Sequence, residues 1–177
     1  VSDLGWLTTF TGKRFYPARP RAEDIDILDI AHALSNIYRY CGHTNRFYSV
    51  GEHSVRLCDL VLPKYKPLAP FALIHDGAEV YLGDVPSLLK RFLFTGYIAY
   101  EEAILDVIVK KFNVKRYDIK KYENQLLAVE VRDLGINDEG WYLPEQPADI
   151  RIVPWVPMHA EEEFLDRFST LIDKQGG

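Results

Sequence analysis

Apolar residues recur at helical spacing along most of this chain. Ile27, Ile30, Ala31, Leu34, Ile37 and Tyr38 share one face, which predicts a helix over Asp26–Tyr40 ended by Gly42. Ser49 or Ser54 is placed to cap a second helix that runs through Val55 and Leu57 to Leu62 and stops at Pro63. The almost continuously apolar run from Phe71 to Tyr81, interrupted by His75, Asp76 and Glu79, predicts a buried helix closed by Gly83. Amphipathic patterns predict further helices over Ile98–Phe112, Ile119–Leu134 and Ala160–Asp173. Only the beginning of the chain breaks this rhythm. Between Trp6 and Tyr16, two short β-prone runs flank Thr11-Gly12-Lys13 and predict a hairpin. Pro144, Pro147, Pro154 and Pro157 make Gly140–Pro157 a loop. The expectation is a mainly α single domain over residues 1–177 with a short N-terminal β-hairpin.

Composition narrows the class. At 177 residues and 47% hydrophobic, the chain is long enough for one self-sufficient core. Its two cysteines, Cys41 and Cys58, form no CxxC and support neither a disulfide framework nor a thiolate metal site. That usage favours a reducing compartment, and the absence of a long apolar run or a signal-like pattern in Val1–Trp6 leads to the expectation of a cytoplasmic protein without membrane contact. A net charge of −5 argues against stable nucleic-acid binding but leaves room for a small anion met by a cation and a few placed basic groups.

The chemistry concentrates where polar residues interrupt the apolar run. A carboxylate next to a histidine inside an apolar helix is costly unless paired or bound to metal. On a continuous helix, His75 and Glu79 (i, i+4) share a face, as do Asp76 and Glu79 (i, i+3). His53 lies near the start of the second helix, and Glu123 and Glu130 fall on one face of a later one. Two imidazoles and two carboxylates make an N2O2 set suited to one divalent Mn, Co, Fe or Zn ion.

Taken in order, Arg39-Tyr40, Gly51-Glu52-His53-Ser54, His75-Asp76-Gly77-Ala78-Glu79, Gly83-Asp84-Val85-Pro86 and Lys90 resemble the HD superfamily of metal-dependent phosphohydrolases. The likeness is to its compact 5′-deoxynucleotidases and to phage HD hydrolases of deoxynucleoside triphosphates, and it runs from about Thr11 to about Leu165. It implies an HD-domain helical bundle that assembles as a homo-oligomer and cleaves the 5′-phosphate or polyphosphate of a small nucleotide substrate. It implies His53, His75 and Asp76 as metal ligands, with Glu123 in the place of the family's aspartate. Glu79 and Asp84 match its catalytic acid pair; Arg39, Tyr40, His43 and Lys90 match its substrate-binding positions. Two departures stand out: Glu123 is one methylene longer than aspartate, and Leu88 replaces the second proline of the family's Gly-Asp-x-Pro-x-Pro-x-Lys run. A non-catalytic nucleotide-binding module is the alternative that an altered fourth ligand leaves open.

Other polar residues have simpler readings. His32 reads as structural and His159 as a surface or capping residue; Glu101-Glu102 and Glu161-Glu162-Glu163 read as solvated faces. Asp133 competes with Glu123 as a ligand but sits beside Arg132. Trp6, Trp141 and Trp155 are expected to pack.

Overall fold

A computed structural model describes residues 5–94, 96–136 and 139–172 of the chain. Asp173, the expected end of the last helix, and Val1–Leu4 lie outside the described residues. The fold is mainly helical, with a two-stranded antiparallel hairpin at its beginning. Strands β1 (Leu7–Thr8) and β2 (Arg14–Phe15) pair Leu7 with Phe15 and Thr8 with Arg14. Thr11 fastens the hairpin to the first helix by donating its backbone N–H and its hydroxyl to the buried carboxylate of Asp29, at 2.7 and 3.0 Å.

Helix α1 (Ile27–Asn36) begins where Asp26 accepts the Leu28 N–H, and ends four residues before the periodicity predicts. The cause is tertiary. Ile37 turns extended, Tyr38 forms an antiparallel bridge with Ser49, and Val50 N–H donates to Ile37 O at 3.0 Å. Helix α2 (Val50–Val61) is capped by Ser49, whose hydroxyl accepts the Glu52 N–H. Gly51 permits the close crossing of α1 and α2: a β-carbon there would lie 2.6 Å from Ser35 Oγ and 2.9 Å from its backbone nitrogen. That crossing sets the height of His53, two residues on.

The buried run from Phe71 to Tyr81 is not one helix. Helix α3 (Ala69–Ile74) gives way to tightened turns at His75–Ala78, and α4 (Glu79–Leu82) resumes before Gly83. The bonds from Gly77 N–H to Ile74 O and from Glu79 N–H to Asp76 O, both 2.9 Å, span three residues instead of four. Gly77 fits this junction because a β-carbon would lie 3.0 Å from Ile74 O and 3.1 Å from Ile108 Cδ1. Helix α5 (Ser87–Phe92) was not expected and buries none of its residues. Helices α6 (Tyr97–Lys111), α7 (Lys120–Asp133) and α8 (Pro157–Leu171) follow the predicted patterns within three residues at their starts.

Helix α2 is the centre of the bundle and packs against α1, α3, α7 and α8. Around it, Leu34, Val55, Leu57, Leu73, Ile74, Ile104, Ile108, Leu126 and Phe164 are fully buried. The hairpin contributes Phe15, which stacks on Tyr81 with ring centroids 3.5 Å apart. Among the described residues no helix is long and apolar enough to cross a membrane.

Candidate metal centre

Three elements bring the site together. His53 comes from the first turn of α2, His75 and Asp76 from the tightened turns after α3, and Glu123 from the first turn of α7. His53, His75 and Asp76 each offer one ligand atom within 4.8 Å of the others, so this group can hold a metal ion. Asp76 reaches His75 Nε2 with Oδ1 at 3.2 Å and His53 Nε2 with Oδ2 at 3.9 Å.

The other ring nitrogens decide what these histidines present. Nδ1 of His75 lies 2.8 Å from the carbonyl of Ala72, and Nδ1 of His53 lies 2.5 Å from Oε1 of Glu130. Both partners are acceptors, so each Nδ1 carries a hydrogen, and the neutral form of each imidazole has its free lone pair on Nε2, the nitrogen that faces Asp76. Anchoring of this kind is how histidine ligands are oriented for a metal. The donor set can therefore hold a metal ion.

Glu130 is the residue whose role the chain pattern did not disclose. It is fully buried, and besides His53 it accepts hydrogen bonds from the hydroxyls of Tyr40 and, at 3.0 Å, Tyr48. Arg39 approaches it at 3.5 Å. Burial, the largest single influence, pushes its pKa up, yet Arg39, His53 and the Tyr40 hydroxyl outweigh it and hold the carboxyl at about 2. Its spacing from Glu123 suggested a second carboxylate facing the metal; it lies instead beneath His53. A buried glutamate seven residues beyond a candidate ligand was the available signal.

Glu123 does come to the site, with Oε1 3.5 Å from His75 Nε2, but it also pairs with Lys120 at 3.2 Å and stands outside the tight group of three. Asp133 does not compete with it: Asp133 accepts from Arg132 at 2.7 Å and from the Ile152 N–H at 2.8 Å.

Arg39 spans the two carboxylates, 3.6 Å from Asp76 and 3.5 Å from Glu130. The following residues, Tyr40, Cys41 and Gly42, all have positive φ, of 57°, 51° and 81°. For the two non-glycine residues this costs on the order of 1–2 kcal/mol each. The conformation carries the Tyr40 hydroxyl onto Glu130, so the polar end of this ring is engaged with the metal-side framework. Tyr40 and the exposed His43 still line the cleft that opens beside the metal group.

That cleft has a volume of about 840 Å³, within the range of small-molecule sites. Glu79, Asp84 and Lys90 also line it. Burial first, then repulsion from Asp76 and Asp84, raises Glu79 well above the usual carboxylate range, and Oε2 of Glu79 is buried without a hydrogen-bond partner. Asp84 is raised too, mainly by burial. Lys90 lies 3.5 Å from Glu79 and 2.5 Å from Glu101, with Tyr97 beneath it at 5.2 Å. Glu101 is thus no solvated face: it holds Lys90 over the cleft. Leu88, the second departure from the motif, is 65% exposed and is not among the residues that line the cleft.

His32 is structural, stacked on Phe10 and paired with Glu161 at 3.0 Å, which removes Glu161 from the solvated face expected for it. Trp155 packs as expected. Trp141 instead lines the cleft.

The chain is 39% identical over 175 residues to the uncharacterized protein YfdR of Escherichia coli K12, an alignment covering 95% of this chain and 96% of the relative. It is 30% identical over 115 residues to the uncharacterized protein RCAP_rcc00048 of Rhodobacter capsulatus, covering 62% of this chain and 59% of that one. No family model matches the chain.

Proposed function

The chain belongs to the family of Escherichia coli YfdR, and from the chemistry of its site we propose that it is a divalent-metal-dependent phosphohydrolase of the HD superfamily acting on a (deoxy)nucleotide. What carries this reading is the convergence of His53, His75 and Asp76 in a cleft that is also lined by Glu79, Asp84 and three basic side chains, Arg39, Lys90 and Lys120. The ordered motif likeness to HD hydrolases supports it. The donor set of two imidazoles, Asp76 and Glu123 suits Mn, Co, Zn or Fe. When bound there, such an ion supplies Lewis-acid charge to a phosphoryl oxygen and acidifies water.

The side chains divide the remaining work. Arg39 and Lys90 neutralise charge that grows on the phosphate as the bond to the leaving oxygen breaks. Glu79 takes a proton from the attacking water, and Asp84 returns one to the leaving oxygen. Positive charge beside Glu79 favours the ionised form that takes a proton, while burial raises Asp84 towards the protonated form that gives one. Tyr40 and His43 border the substrate. Exposed Leu88, Phe92, Leu93 and Phe94 support self-association of copies of this chain.

One observation favours a second reading, a nucleotide-binding module without turnover: Glu123 is shared with Lys120 and stands outside the tight group. A single experiment separates the two. Purified protein is assayed for bound metal and then incubated with deoxynucleoside mono- and triphosphates, with and without EDTA. The expected result is about one divalent ion per chain and chelator-sensitive release of phosphate, pyrophosphate or triphosphate. Metal-loaded protein that binds nucleotides without releasing product favours the binding module; absence of metal together with full activity in EDTA overturns the metal reading.

A further inference from the structure

Three tryptophans of this chain have different surroundings. Trp6 packs against Tyr16 with ring centroids 6.3 Å apart and carries the Arg14 guanidinium 4.6 Å from its ring. Trp155 meets His159 edge-on at 4.9 Å and carries Arg56 at 4.5 Å. Trp141 has no ring or cation partner among the described residues, is 51% exposed, and lines the cleft that holds the metal group.

The cleft changes character along α7. Glu123, 3.5 Å from His75, and Leu127 are four residues apart on one face of that helix, about 6 Å along its axis. At the Glu123 end the lining is charged. Further along α7 and past its end, in chain order, the lining adds Asn124, Leu127, Ile136 and Trp141: an amide, two aliphatic side chains and an indole. An anion suits the first end. The second suits a flat apolar group with polar edges.

We propose that Trp141 is the stacking platform for the heterocyclic base of the substrate. The base lies against Leu127 and Ile136, and the Asn124 amide offers a donor and an acceptor to its edge. This inference rests on the reading that the charged end holds phosphate. Stacking tolerates any base because every base has a π-face, so Trp141 contributes affinity for nucleotides in general and Asn124 the preference among them.

The test uses the metal-loaded protein and 2-aminopurine 2′-deoxyriboside 5′-monophosphate, whose emission falls when its ring stacks. Binding is followed by rapid mixing, before turnover, with 2-deoxyribose 5-phosphate as the base-free competitor. Wild type is expected to quench the probe and to prefer it over the base-free sugar phosphate. Trp141→Ala is expected to weaken probe binding by about 5- to 100-fold, the worth of one base–aromatic stack. It should leave the affinity for 2-deoxyribose 5-phosphate unchanged, and Trp141→Phe should restore most of the loss. Probe binding unaltered by Trp141→Ala, equal loss of both ligands, or wild type that prefers neither ligand would overturn the platform and leave the phosphate site standing. If wild type binds neither ligand, the platform falls together with the phosphate-site reading.

Discussion

The two sides of the cleft are built differently. Behind the metal group the wall is anchored in the core: buried Glu130 of α7 alone joins His53, Tyr40, Tyr48 and Arg39. The opposite lip, from Asp84 through α5, has no buried residue, and Lys90 is steadied there by Glu101 and Tyr97. Trp141 and Tyr142, in the loop after α7, are exposed as well. The side that can hold an ion is set in the core, where packing leaves each side chain one place to go. The side that meets a variable ligand stands on the surface, where side chains adjust at little cost to the fold.

Substitutions on each side put this contrast at risk. The largest effect is expected where the two sides meet: Glu79→Gln should lower kcat by about 10²–10⁴ while metal content and melting temperature stay near wild type. Loss of metal in step with activity would move Glu79 from the acid pair to the ligands. Glu130→Ala, on the wall, leaves Arg39 without its buried counter-charge and His53 without its anchor. Chemical denaturation should report a loss of about 3–5 kcal/mol, and metal titration a 10- to 100-fold weaker site. A variant that binds metal as wild type does would show that the wall does not orient His53. Glu123→Ala should weaken metal binding by about 10-fold, and Glu123→Asp should keep or improve it, because the shorter carboxylate is freed from Lys120. Equal affinity in wild type and Glu123→Ala would remove Glu123 from the ligand set. The smallest effect belongs to the loop after α7: Tyr142, 87% exposed, should be replaceable by Ser with less than about 0.5 kcal/mol change in stability.

Much of this architecture was legible along the chain, and the places where it was not share a cause. Helical periodicity located α2, α6, α7 and α8, and Thr11-Gly12-Lys13 located the hairpin, since each depends on neighbours in sequence. The early end of α1 and the break at His75–Ala78 were not legible. Both obey distant partners: Ser49 and Tyr48 pair with Tyr38 and Arg39 in the first case, and close packing of Gly77 on Ile108 marks the second. Helix α5 escaped notice because six residues with no buried face carry no periodic signal.

The candidate site divides in the same way. His75, Asp76 and Glu79 announced themselves in one dimension as costly polar groups inside an apolar run, and the motif order that carries the family resemblance added the roles of His53, Asp84 and Lys90. Which nitrogen each imidazole presents, which acid holds Lys90, and whether Glu130 faces an ion or supports a ligand are matters of direction. Direction was decided by the crossing of α1 and α2 at Gly51, the left-handed turn at Tyr40–Gly42 and the placement of α7 beside them. Sequence alone determined a mainly helical chain carrying two histidines and several carboxylates at chemically suggestive positions. Tertiary structure decided their orientation, because a hydrogen bond or a metal contact depends on tenths of an ångström between residues as far as 90 positions apart.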